Sequence, residues 1–277
     1  MNEPWNEAAH PDFPKISKTD WLRIILRGAA LIILVSVGLI ATLCLRLIER
    51  PVFGLNRPIT PFITQFVCRG ALRILGVRFS IKGQPMAGRG AVVANHSSWL
   101  DIFALNAAKR IYFVSKSEVA NWPGIGWLAR ATGTVFIKRA RKEAQAQTKL
   151  FQSRLLAGHK LLFFPEGTST DGQQVIAFKT TLFQSFFAPE LKEVLEIQPV
   201  AVIYHAPAGA DPRFYGWWGD MELAPHLLVT LAPARQGAID VVYCAPLKVA
   251  DFEDRKSLAA ACENAVRRAH NECLPKA

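Results

Sequence analysis

Three short stretches of the chain hold residue types able to do chemistry. The first is Asn95-His96-Ser97-Ser98-Trp99-Leu100-Asp101, directly after the apolar run 91–94. Asn and Ser are N-cap residues, so the pattern predicts a helix beginning near Ser97 or Ser98. His96 then sits where a strand gives way to a helix, at the carboxyl end of the strand, where α/β folds hold their ligands. Asp101 falls about one turn into that helix, within reach of the imidazole. A histidine held by a carboxylate keeps one tautomer and presents its other nitrogen as a base. The positive end of the helix disfavours imidazolium and helps keep that base neutral. Taken alone, the same residues also read as a capped helix start with an incidental histidine.

The second stretch is Gly133-Thr134-Val135-Phe136-Ile137-Lys138-Arg139, a glycine and a strand followed by cations. Lys138, Arg139, Arg141 and Lys142 place four positive charges in five positions. Such a cluster suits an anionic group, and Arg139 offers the bidentate fork that phosphate accepts. A solvated charge run at a helix start is the plainer alternative. The third stretch, Phe163-Phe164-Pro165-Glu166-Gly167-Thr168-Ser169-Thr170-Asp171-Gly172, runs an apolar strand straight into a carboxylate, a glycine and hydroxyls. Glu166 is placed to hold an acceptor hydroxyl or order a cation, and Gly167 permits close backbone approach. An ordinary turn after a strand would look the same. A fourth feature, the apolar strand 197–203, carries Pro199 near its start, which implies an edge, a bulge or a first strand position.

These stretches need a frame. From residue 78 onward, short apolar runs at 79–81, 91–94, 111–114, 134–137, 160–164, 197–203 and 239–243 alternate with helical patterns at 99–108, 126–131, 142–156 and 256–271. That alternation predicts an α/β domain over 78–277, with a mixed, largely parallel sheet covered by helices.

Ahead of it lies a different kind of sequence. Residues 28–45 carry no charge and are bracketed by Arg27 and Arg46. Eighteen helical residues reach about 27 Å, close to the ~30 Å hydrocarbon core. The polar N-terminus and this membrane helix make a first segment, 1–50. Cations dominate after the helix, which by the positive-inside rule places the catalytic domain on the cytoplasmic side of the cytoplasmic membrane. A transmembrane helix and a helix lying in one leaflet both fit. The second segment, 51–77, mixes Phe62, Phe66, Leu72 and Leu75 with Arg69 and Arg73. It reads as an amphipathic interfacial helix, or as one packed on the domain.

Composition narrows the function classes. The 277 residues include 33 Lys+Arg against 22 Asp+Glu, a net charge of +11, with 51% hydrophobic residues. Such hydrophobicity excludes intrinsic disorder. A basic chain with a mean hydropathy of +0.16 points to an anionic membrane surface rather than to nucleic acid, and no nucleic-acid motif is present. Five widely spaced cysteines without a CxxC argue against a disulfide framework or a zinc site.

Together the four features, in this order, resemble the glycerolipid acyltransferase family typified by bacterial 1-acyl-sn-glycerol-3-phosphate acyltransferase. Its NHxxxxD, glycine–strand–arginine, FPEGTRS and proline-strand blocks correspond to 95–101, 133–139, 164–170 and 197–202. The resemblance implies the glycerolipid acyltransferase fold. It also implies that His96 takes the proton from the acceptor hydroxyl and that Asp101 orients it. The hydroxyl would attack the thioester of acyl-CoA or acyl carrier protein directly, with no metal or covalent cofactor. Arg139 with Lys138 would bind the acceptor head group or the donor phosphate, and Glu166, Gly167 and Thr168 would help place the lysolipid acceptor. The leading expectation is 1-acylglycerol-3-phosphate as acceptor, giving phosphatidic acid in phospholipid biosynthesis.

One position departs from the family pattern. Ser169 stands where the family has arginine, so one phosphate-binding cation is missing. Lys179 and the cations at 138–142 are the candidates to replace it. A lyso-ornithine lipid, which needs less phosphate recognition, is therefore the alternative acceptor. Gly216-Trp217-Trp218-Gly219-Asp220 also resembles members outside the best-known branch. A basic, non-catalytic membrane-surface scaffold is the reading outside enzymology; it leaves His96, Asp101 and Glu166 without a purpose.

Overall fold

The computed structural model describes residues 5–137 and 144–274, with the side chains of 144–148 left aside. Two long helices come first, α1 (Lys18–Phe53) and α2 (Thr60–Leu75). The domain follows as β1 (Arg78–Lys82), β2 (Gly90–Ala94), α3 (Asp101–Ala108), β3 (Tyr112–Lys116), α4 (Ile125–Thr132), β4 (Val135–Ile137), α5 (Ala144–Leu156) and β5 (Leu161–Phe163). It closes with α6 (Pro189–Lys192), β6 (Glu196–His205), α7 (Leu223–Leu231), β7 (Ala238–Tyr243), β8 (Leu247–Lys248) and α8 (Arg255–Cys273). The strand order is β1-β7-β6-β2-β5-β3-β4, with β8 pairing β6. Pairs are parallel except where β6 meets β7 and β8.

Strand β2 is built only of Gly, Ala and Val and is buried along its whole length. Its side chains alternate between the two faces of the sheet. Val92 and Ala94 join a core completed by α2, α3 and α7, including Leu72, Leu100, Leu105 and Leu231. Ala91 and Val93 join the opposite core, where Phe151 of α5 and Leu258, Cys262 and Val266 of α8 pack. The chemistry-bearing loop leaves this doubly covered strand, so its root is immobilised from both sides.

Pro199 is neither at an edge nor at a strand start; β6 is an interior strand. It is tolerated because β8 pairs with Glu196 and Ile197 while β7 takes over only from Val200. Pro199 lies at the seam between two partners, where no ladder needs its missing N–H.

Helix α1 is hydrogen-bonded at both ends, to the domain near its start and to the beginning of α2 near its end. Ser17 and Asp20 form a capping box at its start. Arg23 Nε donates to Ala232 O at 2.9 Å, and Arg27 Nη1 donates to Leu231 O and Pro233 O at 2.7 Å each, carbonyls at the end of α7. Arginine there both satisfies orphan carbonyls and meets the negative end of the helix. Near the other end, Glu49 accepts the N–H groups of Ile59 and Thr60 at 2.6 and 3.0 Å and the Thr60 hydroxyl at 2.7 Å, thereby capping α2. Between these points the two helices cross closely: a Cβ on Gly38 would lie 2.3 Å from Val67 Cγ2. The helix continues past residue 50 to Phe53, with Pro51 inside its last turn.

Before α1, residues 5–17 form an extended strap that folds back over the domain. Trp218 Nε1 donates to Ala8 O at 3.2 Å, Arg213 Nη1 donates to Ala9 O at 2.8 Å, and Phe13 meets Phe214 edge-on. Sequence patterning missed α7, whose LAPHLLVTL is too uniformly apolar to show a helical period.

Candidate active site

Asn95 begins the loop by extending the sheet rather than capping a helix. Its amide donates to Val202 O at 2.9 Å and accepts from Val202 N at 2.8 Å, a side-chain copy of one ladder step. The helix itself starts later than its Ser residues predict, at Asp101. Asp101 accounts for the difference, because its carboxylate gathers the donors that serine hydroxyls would otherwise satisfy. Oδ2 accepts Ser97 N at 2.9 Å, Ser98 N at 3.1 Å and His96 Nδ1 at 2.6 Å. Oδ1 accepts the Tyr204 hydroxyl at 2.5 Å. Burial, with the charge of Asp101 beside it, pushes the Tyr204 phenol up, so it remains a donor.

A carboxylate only accepts, so the proton of the neutral His96 ring belongs on Nδ1. Nε2 is left with its lone pair, on a side chain 22% exposed in the midst of a buried cluster. The ring stacks on Phe164 with centroids 4.0 Å apart and planes 10° from parallel. The dyad expected from sequence is thus assembled, with orientation fixed by a bond on one side and a ring on the other.

Glu166 is fully buried. The sequence suggested an acceptor-facing carboxylate; the structure turns it onto backbone instead. Its oxygens accept His96 N at 2.6 Å and Ile176 N at 3.0 Å, tying the His96 loop to the 172–178 segment. Burial pushes its carboxyl up to about 8, outweighing the downward pull of the two N–H groups. Gly167 lies in the tight turn that follows, its N–H returning to Phe164 O. The same segment is fastened from α8, where His270 Nε2 meets Gly172 O at 3.1 Å. Gly172 has φ of 78° and packs against Ser97, so a larger residue would be strained and crowded at once.

Thr168 faces the strap: its hydroxyl oxygen accepts Trp5 N at 3.2 Å. Trp217 N donates to Ser97 O, and Thr170 N donates to His96 O. Lys138 and Arg139 lie outside the described residues. The site therefore joins His96, Asp101, Glu166, Gly167 and Thr168. It adds Tyr204, Trp5, Trp217 and His270, which the sequence reading did not single out as site residues. For Tyr204 a signal existed: it shares the strand phase of Val200 and Val202, which pack in the same core as Leu100.

Comparison with known proteins fixes the class. The family described as Acyltransferase matches residues 77–203, the span holding all four motif blocks. A lyso-ornithine lipid O-acyltransferase from Rhodobacter capsulatus is 61% identical over 88% of this chain and 89% of its own length. The chain belongs to the acyltransferase family. Among other acyltransferases, a 1-acyl-sn-glycerol-3-phosphate acyltransferase from Neisseria gonorrhoeae is 31% identical over 72% of this chain and 77% of its own length. The crystal structure of the 1-acyl-sn-glycerophosphate acyltransferase PlsC from Thermotoga maritima covers 93% of this chain and 99% of its own, with a TM-score of 0.63 at 18% identity. That likeness establishes the fold, a mixed and mostly parallel sheet with helices after an apolar N-terminal helix. It is the acyltransferase fold expected from sequence.

Proposed function

We propose that this acyltransferase moves a fatty acyl group from an acyl thioester, on coenzyme A or acyl carrier protein, to the free hydroxyl of a lyso-ornithine lipid. The observation carrying this reading is the similarity, along nearly the whole chain, to a protein named for that acceptor. Ser169, which stands where a phosphate-binding arginine is expected, supports the same choice. 1-Acylglycerol-3-phosphate led the reading of the sequence; it is now the second reading, supported by the Neisseria gonorrhoeae relative.

In the proposed reaction His96 Nε2 takes the proton of the acceptor hydroxyl as its oxygen attacks the thioester carbonyl. The C–S bond then breaks, and the proton on Nε2 passes to the departing thiolate. Asp101 holds the ring and stabilises the imidazolium formed in between. Glu166 keeps the His96 backbone in register, while Arg139 and Lys138 meet anionic groups of donor or acceptor. No metal or cofactor takes part.

We place α1 in one leaflet rather than across the bilayer, on the cytoplasmic side. The strap before it and the domain after it are bonded to one another, which supports this seat. Ile32, Ile33, Val37, Ile40, Leu47 and Phe66 are exposed along α1 and α2 and would be the lipid-facing surface.

The test gives purified full-length protein an acyl donor and equal amounts of lyso-ornithine lipid and lysophosphatidic acid, with products identified by mass spectrometry. Diacylated ornithine lipid is expected as the main product. Phosphatidic acid alone would install the second reading.

A further inference from the structure

Three buried polar atoms around the catalytic loop have no hydrogen-bond partner among the described residues: Trp5 Nε1, Trp217 Nε1 and Ser97 Oγ. Ser97 is 1% exposed and Trp5 7%. An unpaired buried N–H or O–H costs its full desolvation, so three in one neighbourhood call for an occupant. The other unpartnered buried atoms belong to His159, His226 and His270. Each of those rings already has its second nitrogen bonded inside the fold.

The residues that carry these donors come from distant parts of the chain, and their backbones are tied to the segments around His96. Trp217 N donates to Ser97 O at 2.8 Å. Trp5 N donates to Thr168 Oγ1 at 3.2 Å, and its ring lies 6.1 Å from that of Trp218. All three are neutral groups. Together they suit a singly charged, planar acceptor such as a carboxylate better than a phosphate dianion, which draws guanidinium forks. This fits a chain with serine at position 169.

We propose that Trp5, Trp217 and Ser97 bind the carboxylate of the acceptor's amino-acid head group, with the strap closing over it. The inference rests on the lyso-ornithine reading, because ornithine brings a carboxylate and no phosphate. Residues 5–13 form neither helix nor strand. Lifting the part around Trp5 breaks few bonds, chiefly those at Thr168, Trp218 and Arg213, and so opens a route for the head group.

The experiment compares lyso-ornithine lipid with its carboxyl methyl ester on the full-length protein. Esterification removes the charge that strengthens these bonds, so the wild type should show a KM about tenfold or more higher for the ester. Trp5→Phe and Trp217→Phe keep the ring and lose only the N–H. Each should raise KM for the free acid about tenfold, lower kcat less than threefold, and shrink the preference for acid over ester. Equal use of acid and ester by the wild type overturns the inference and leaves the proposed function standing, and that result needs no variant to fold. Undiminished acid preference in both variants also overturns it, assigning the indoles a structural role. Acylation of lysophosphatidic acid with neither ornithine substrate used overturns both readings.

Discussion

The loop carrying His96 and the middle of α1 are held in place by opposite means. Around His96 the fixing groups are buried carboxyl groups that collect backbone N–H groups, Asp101 from Ser97 and Ser98 and Glu166 from His96 and Ile176. Helix α1 is fixed by hydrogen bonds toward its ends, at Arg23, Arg27 and Glu49, while its middle is held by a close crossing of small and branched residues against α2, which Gln65 and Arg69 tie to Ala107 O. Hydrogen bonds fix distance and direction to fractions of an ångström, which proton transfer needs. Apolar packing is non-directional and serves a seat that only has to stay put.

The largest effect that tests this contrast is at His96, the proposed base. His96→Ala should lower acyl transfer about 10³- to 10⁴-fold, toward the upper range for losing a general base, with the thermal midpoint nearly unchanged. Retention of more than about a tenth of wild-type turnover would show that another group takes the proton.

Next comes Glu166→Gln. Its amide NH2 must face one of two backbone N–H groups, donor against donor in a buried site, and the His96 backbone must shift. A displacement of this kind should cost kcat about 10- to 100-fold while KM for the acceptor changes less than about threefold. A rise confined to KM would return Glu166 to the acceptor-facing role its sequence context suggested.

The smallest effect belongs to the leader. Gly38→Leu drives a side chain into Val67, already 2.3 Å from where a Cβ would stand. Overpacking of about 1–3 kcal/mol should lower the thermal midpoint by roughly 2–8 °C. Turnover in detergent should stay within about twofold of wild type. A loss of turnover as large as that of Glu166→Gln would mean that leader and catalytic loop are coupled, and the contrast would collapse.

The sequence alone was enough for the strands, the largely parallel α/β sheet and the His96–Asp101 pair. Those features rest on local period and on residues five apart across a single strand-to-helix turn, where the chain has little choice of geometry. It also marked Ser169, a chemical departure visible in one letter. It could not assign Glu166 its partner 70 residues away, Asp101 its Tyr204 at a separation of 103, or Thr168 its Trp5 at 163. A buried carboxylate or hydroxyl can accept from any donor that arrives, and only the packed chain decides which one does. The same holds for α1, whose apolar length admits a span or an in-plane seat. What supports the in-plane seat we propose is the strap at 5–17 returning to the domain, and bonds between segments so far apart in sequence exist only once the tertiary structure has brought them together.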